Sequence, residues 1–167
     1  MAFTRDEFIR AVASGGAPFG RSVLQQGPAE IGPTVSEALK IAIGETEKIL
    51  HGVQTGRLEH APNSVALTGR LDWILLMDAD VVELMIDTTP GRRGLHVLTR
   101  RWSLSRIEDV AHDVRQGEPR SSTVELRLRG RPDPLVLESA KVAPGDEVSG
   151  AWVLAEFTRV LLEHLRT

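Results

Sequence analysis

Apolar residues are densest between Leu71 and Asp87, LDWILLMDADVVELMID, and their spacing there is that of strands. Leu71, Trp73, Leu75 and Met77 share one face of a period-2 pattern, while Asp72, Ile74, Leu76 and Asp78 share the other. The first arm is thus apolar on nearly both sides, as expected of a strand in the middle of a sheet. Beyond Asp78-Ala79-Asp80 the phase resets, with Val82, Leu84 and Ile86 on one face and Val81, Glu83, Met85 and Asp87 on the other. This predicts an antiparallel hairpin turning at the aspartates. A helix competes, because Val81, Leu84 and Met85 also fit a spacing of three and four. The β-branched and aromatic residues, the turn aspartates and the closing Thr88-Thr89-Pro90-Gly91 favour strands.

Ahead of this hairpin, Thr4-x-x-Glu7 spells a capping box and predicts a short amphipathic helix from Thr4 to Ala13. Residues 14–33 then hold five glycines and three prolines, which disfavour both helix and sheet. Residues 1–33 therefore read as a helix and a strap, and 34–167 as a single globular domain. The glycines fit neither the P-loop nor the dinucleotide template, having no following Lys-Ser/Thr and no preceding strand. A second box, Thr34-x-x-Glu37, predicts a helix running to Leu50 with Leu39, Ile43, Thr46 and Leu50 in one stripe and Gly52 as its stop. Val53 to His60 and Ser64 to Thr68 read as short strands, with Gly69 as a bend.

After the loop Pro90-Gly91-Arg92-Arg93-Gly94, the alternation of Leu95 and Val97 with His96 and Leu98 predicts the next strand. The segment 104–115 reads two ways. Leu104, Ile107, Val110, Ala111 and Val114 fit a helix, which periodicity slightly favours; a strand there requires a bulge to bring Ile107 inward. Val124, Leu126 and Leu128 then alternate with charged residues, and Leu135 to Leu137 return as the partner strand of a hairpin with one wet face. A final helix runs from about Val148 to Leu165, with Val153, Phe157, Val160, Leu161 and His164 in its apolar stripe.

The run HVLTRRWSLSRIEDV, followed by TVELRLRG, PLVLE and a terminal helix around Trp152 and Phe157, resembles bacterial proteins of pleckstrin-homology-like fold over residues 65–165. Leu104, Ser105, Ile107 and Val110 carry the phrase that enters a strand in those families. The resemblance implies an α+β fold, a PH-like antiparallel β-barrel or sandwich closed by a C-terminal helix, with an N-terminal helical extension. It makes 106–114 a strand. If the segment is instead a helix, the element order resembles the secretion-chaperone-like α/β fold, a sheet with helices on one face.

Composition narrows the chemistry. The 167 residues contain no cysteine, which excludes disulfides, thiolate nucleophiles and cysteine-ligated metals. The longest uninterrupted apolar run, Trp73 to Met77, is far short of a membrane span, and no secretory leader is visible, so a cytoplasmic protein is expected. The net charge of −3 hides an excess of bases in residues 88–131. Within it, Arg92, Arg93, Arg100 and Arg101 are the candidate contacts for an anionic ligand. Aromatic residues are too sparse to stack bases, so no nucleic-acid partner is expected.

Asp78-Ala79-Asp80 resembles the Asp-x-Asp metal motif of glycosyltransferases, but the preceding chain lacks a nucleotide-binding βαβ half, and turn aspartates account for it. The histidines at 51, 60, 96, 112 and 164 show no ligand spacing, so neither a metal nor a cofactor is expected. The expected function is a non-enzymatic binding or scaffold module for a protein or an anionic ligand. The competing readings are a small hydrolase or transferase using Asp78 and Asp80, and a chaperone-like partner-binding protein. A homodimer is expected from two helices with broad apolar stripes competing for one seat, and from unpaired sheet edges.

Overall fold

The computed structural model describes residues 2–13, 32–64, 66–88, 95–117, 121–142 and 147–167. The glycine–proline strap, Arg92 and Arg93 lie outside them. The chain order is β1 (Phe3–Thr4), α1 (Arg5–Ala13), α2 (Gly32–Ala42), β2 (Lys48–His60), β3 (Leu67–Met77), β4 (Asp80–Thr88), β5 (Leu95–Ser103), a 3-10 turn (Leu104–Arg106), β6 (Ile107–Arg115), β7 (Ser121–Leu128), β8 (Leu135–Glu138), α3 (Ser139–Val142) and α4 (Glu147–Leu165). Two antiparallel meanders result, a five-stranded sheet in the order β1-β2-β3-β4-β5 and a three-stranded sheet β6-β7-β8. They form two separate sheets rather than a closed barrel. With α4 packed on β2 and β7, this is an α+β sandwich of two antiparallel sheets with an N-terminal helical extension.

The central hairpin forms in the expected phase: Leu71 opposes Ile86, Trp73 opposes Leu84 and Leu75 opposes Val82. Both faces of β3 are covered. On the face of Leu71 and Trp73 lie the N-terminal helices, with the Phe8 ring edge-on to Trp73 at 5.9 Å and the Trp73 indole donating to Gln54 Oε1. On the face of Ile74 and Leu76 lie the second sheet and α4, whose Phe157 ring stands 6.0 Å from His51. The N-terminal and C-terminal helices therefore have separate seats on opposite sides of one sheet. The competition of two helices for one seat, which favoured a dimer, does not arise.

Two expectations are corrected. The helix expected to reach Leu50 ends at Ala42, and Lys48–Leu50 belong to β2, where Ile49 pairs with Met77. Gly44 breaks the helix, its N–H bonding Glu47 Oε2 at 2.6 Å, and two arginines bind the last carbonyls. Arg5 donates to the Lys40 and Ile43 carbonyls, and Arg101 donates to Ala42 O, taking up carbonyls that the helix end leaves open. The helix that periodicity favours over 104–114 is also not formed. The segment makes one 3-10 turn and then β6, with the register shift between Ile107 and Asp109 that a strand here requires. Pairing with β7 supplies the segment's backbone hydrogen bonds and half-buries Ile107 and Val110, so tertiary pairing overrides periodicity. The secretion-chaperone-like alternative falls with that helix.

Gly56 is the one position in β2 whose backbone demands glycine. It has φ of 76°, and a Cβ there would overlap the Arg70 carbonyl.

Candidate functional site

Three polar clusters absorb most of the side chains that chemistry would need. The first lies where α2, β4 and β5 meet. Arg101 donates from Nε to Asp80 Oδ2 at 2.7 Å, from Nη1 to Glu47 Oε2 at 2.9 Å and to Ala42 O at 3.1 Å, and from Nη2 to Glu47 Oε1. The guanidinium and the Gly44 N–H hold the Glu47 carboxyl at about 2, well below its usual value. The same bonds raise the Arg101 pKa further. This arginine is a rivet between helix and sheet, with two carboxylates already on its fork. Asp80, half of the Asp-x-Asp pair, is committed to that rivet, whereas Asp78 is exposed and lies 3.8 Å from His164 Nε2.

The second cluster bridges the sheets. Glu83 of β4 is buried, and its carboxylate accepts from the Trp102 indole at 2.8 Å and from Arg131, which sits in the turn between β7 and β8. A buried carboxylate needs such partners, because desolvation without them costs several kcal/mol. Strand alternation places Glu83 on the face of Val81, Met85 and Asp87 and does not single it out. The available signal was a lone acid flanked by Val81 and Met85 on a strand expected to be central.

The third lies farther along the same sheet. Arg70 grips Asp72 through both carboxylate oxygens at 2.9 and 3.0 Å, and its own pKa rises in response. Burial nonetheless outweighs the ion pair at Asp72 and leaves its pKa raised. His51 is buried between β2 and α4, and burial lowers its pKa to about 4. The Gly52 N–H bonds His51 Nδ1, so the proton of the neutral ring resides on Nε2. His60, His96 and His112 are exposed and lie on three different strands. Among the described residues no three His, Asp or Glu side chains converge as a metal site would require, and no helix is long and apolar enough to cross a membrane.

Among the described residues α4 packs on β2 and β7, whereas β5 and β6 leave inner-face residues exposed. Register places Leu98 and Arg100 on the same face as Glu83, and Val110, His112 and Val114 on the same face as Val124 and Leu126. These are the inner faces of the two sheets, yet Leu98 is 38% and Val114 41% exposed, and Arg100 and His112 are exposed as well. Among the described residues the outer edge of β6 meets no other strand. Of the four arginines proposed for an anion, Arg101 is riveted, Arg100 stands exposed on β5, and Arg92 and Arg93 lie outside the described residues.

No family model matches the chain, and no curated protein is significantly similar to it. Among solved structures it is similar to a pleckstrin homology domain from Shewanella amazonensis, with a TM-score of 0.47 and 14% identity, covering 80% of this chain and 97% of that one. It is also similar to a DUF1696 family protein with a pleckstrin-homology domain from Shewanella loihica, with a TM-score of 0.39 and 15% identity, covering 75% of this chain and 91% of that one.

Proposed function

We propose that the chain is a non-enzymatic binding or scaffold module that takes up an extended protein segment along β6. The observation that supports this reading is the strand itself. β6 is nine residues long, only Ile107 and Val110 are even half-buried, and its outer row of N–H and C=O groups faces no strand among the described residues. Such an edge is a template for β-augmentation, in which main-chain bonds give affinity and alternate side chains give specificity. The other edges are poorer templates: β1 has two residues, β8 has four, and β5 is flanked by α2 through the Arg101 rivet.

Val114→Lys tests the reading, since a lysine on an edge strand is a common device against strand addition and Val114 is already partly exposed. Partners retained by the immobilised wild-type chain are expected to be lost with the variant, while its thermal melt stays within about 0.5 kcal/mol of wild type. Retention unchanged by the substitution overturns the reading. A second reading, an anionic ligand held by Arg92, Arg93 and Arg100, is favoured by the exposure of Arg100 on β5. Liposome co-sedimentation at low salt that survives replacement of all three by alanine removes it.

A further inference from the structure

On the reading of β6 as a docking edge, on which this step rests, we infer that the segment taken up is β6 of a second copy of this chain, paired antiparallel about a two-fold axis at His112. Geometry restricts the registers. Antiparallel copies of one strand are related by an axis normal to the sheet, which carries each face of the strand onto itself. Residues opposed across that axis must then share the same parity, so every allowed register is centred on a residue. The β6–β7 ladder is irregular between Ile107 and Asp109 and regular from Asp109 to Arg115. His112 is the midpoint of the regular stretch, so this register is the one that uses all of it.

The side chains favour the same centre. About His112, Asp109 opposes the copy's Arg115 and Val110 opposes its Val114, each pair occurring twice. The opposite charges fall on the outer face, and the valines on the inner face, where they cover apolar surface that one chain leaves exposed. Centred on Ala111, Asp109 opposes Asp113 twice; centred on Asp113, two aspartates meet at the axis. Like charges directly opposed destabilise a strand pair, which disfavours both neighbours. Within one chain Arg115 Nε lies 3.3 Å from Asp113 Oδ2, with both side chains largely exposed, so a side-chain rotation suffices to re-pair it. The product is a continuous six-stranded sheet in the order β8-β7-β6-β6-β7-β8.

The absence of cysteine allows single-cysteine variants to report the register directly. Under mild oxidation at low micromolar concentration, His112→Cys is expected to form a disulfide-linked dimer at least about tenfold faster than Ala111→Cys or Asp113→Cys, since disulfides demand close Cβ atoms. Sedimentation of Asp109→Arg and of Arg115→Asp should each show association weakened by roughly tenfold, and the double variant should restore it. Fastest linkage at 111 or 113, or a double variant no better than the singles, overturns the inference. A wild-type chain that stays monomeric through the micromolar range also overturns it. If that monomer still loses retained partners with Val114→Lys, the docking-edge reading stands; if it does not, both fall.

Discussion

In the five-stranded sheet every residue of β3 from Leu71 to Met77 except Asp72 is buried, whereas in the three-stranded sheet β6 exposes all of its residues except Ile107 and Val110. Both strands place apolar side chains on their inner faces, Ile74 and Leu76 in β3 and Val110 and Val114 in β6. What separates them is the layer beyond: β3 has helices on one side and a sheet on the other, while β6 is an edge strand among the described residues. The difference indicates that the first sheet holds the fold and the second presents a surface. Equal cuts in the two should therefore have unequal effects.

The largest difference is expected between Trp73→Ala and Val110→Ala. The first removes a buried ring packed on Phe8 and bonded to Gln54, and should cost about 3–5 kcal/mol. The second removes a half-buried edge residue and should cost about 1 kcal/mol or less. Guanidinium midpoints measure both, and comparable losses would mean that β6 is as much core as β3. Next in size is Glu83→Ala, which strands Arg131 and the Trp102 indole between the sheets and is expected to cost about 3–5 kcal/mol. Replacing Glu83 and Arg131 together by methionine should recover much of that loss, since an apolar pair carries no desolvation penalty. A double variant as unstable as the single would show that the pair is needed for the alignment of the sheets.

His51 makes the seat of α4 sensitive to acid. Its folded pKa of about 4 lies below the value of 6.5 for an unfolded chain, so between these pH values the unfolded state binds more protons than the folded one. Stability attributable to this residue is intact above pH 6.5, falls as pH drops towards 4, and levels off below. The total is about 3 kcal/mol, read as the difference in pH dependence between wild type and His51→Phe. Parallel pH profiles would remove His51 as the cause.

Local patterns in the sequence reveal the first sheet better than the second. The phase of Leu71, Trp73 and Leu75 against Val82, Leu84 and Ile86 is set by strand alternation alone, and so is the β7–β8 hairpin. Likewise the Thr4–Glu7 box appears as two reciprocal hydrogen bonds. Periodicity failed at 107–115, where half the apolar positions are exposed and a bulge shifts the phase, so spacing carried little information. The candidate arginines illustrate a further limit: adjacent Arg100 and Arg101 look alike in sequence, but Glu47, 54 residues away, binds only Arg101. Pairing across such distances sets which charges remain available, and no local pattern encodes it.

The smallest expected effect tests where the second sheet does behave as core. At the end of β8 the ladder with β7 stops at Glu138, and the Ser139 hydroxyl supplies the next rung by accepting the Ser122 N–H at 3.0 Å. Both serines are buried, but Ser122 Oγ has no hydrogen-bond partner among the described residues. Removing an unpaired hydroxyl forfeits nothing and relieves its desolvation, so Ser122→Ala should fall within about 0.5 kcal/mol of wild type or slightly above it. Ser139→Ala instead leaves the Ser122 N–H buried without an acceptor and should cost about 1–2 kcal/mol. Gly150 allows α4 to press directly on the Ser139 carbonyl, where a Cβ would overlap it, so water has little room to replace the lost hydroxyl. Chemical denaturation of the two alanine variants side by side decides the point. If Ser122→Ala proves the more costly, the hydroxyl at 122 has a partner, and the inner face of β7 is more polar than its register implies.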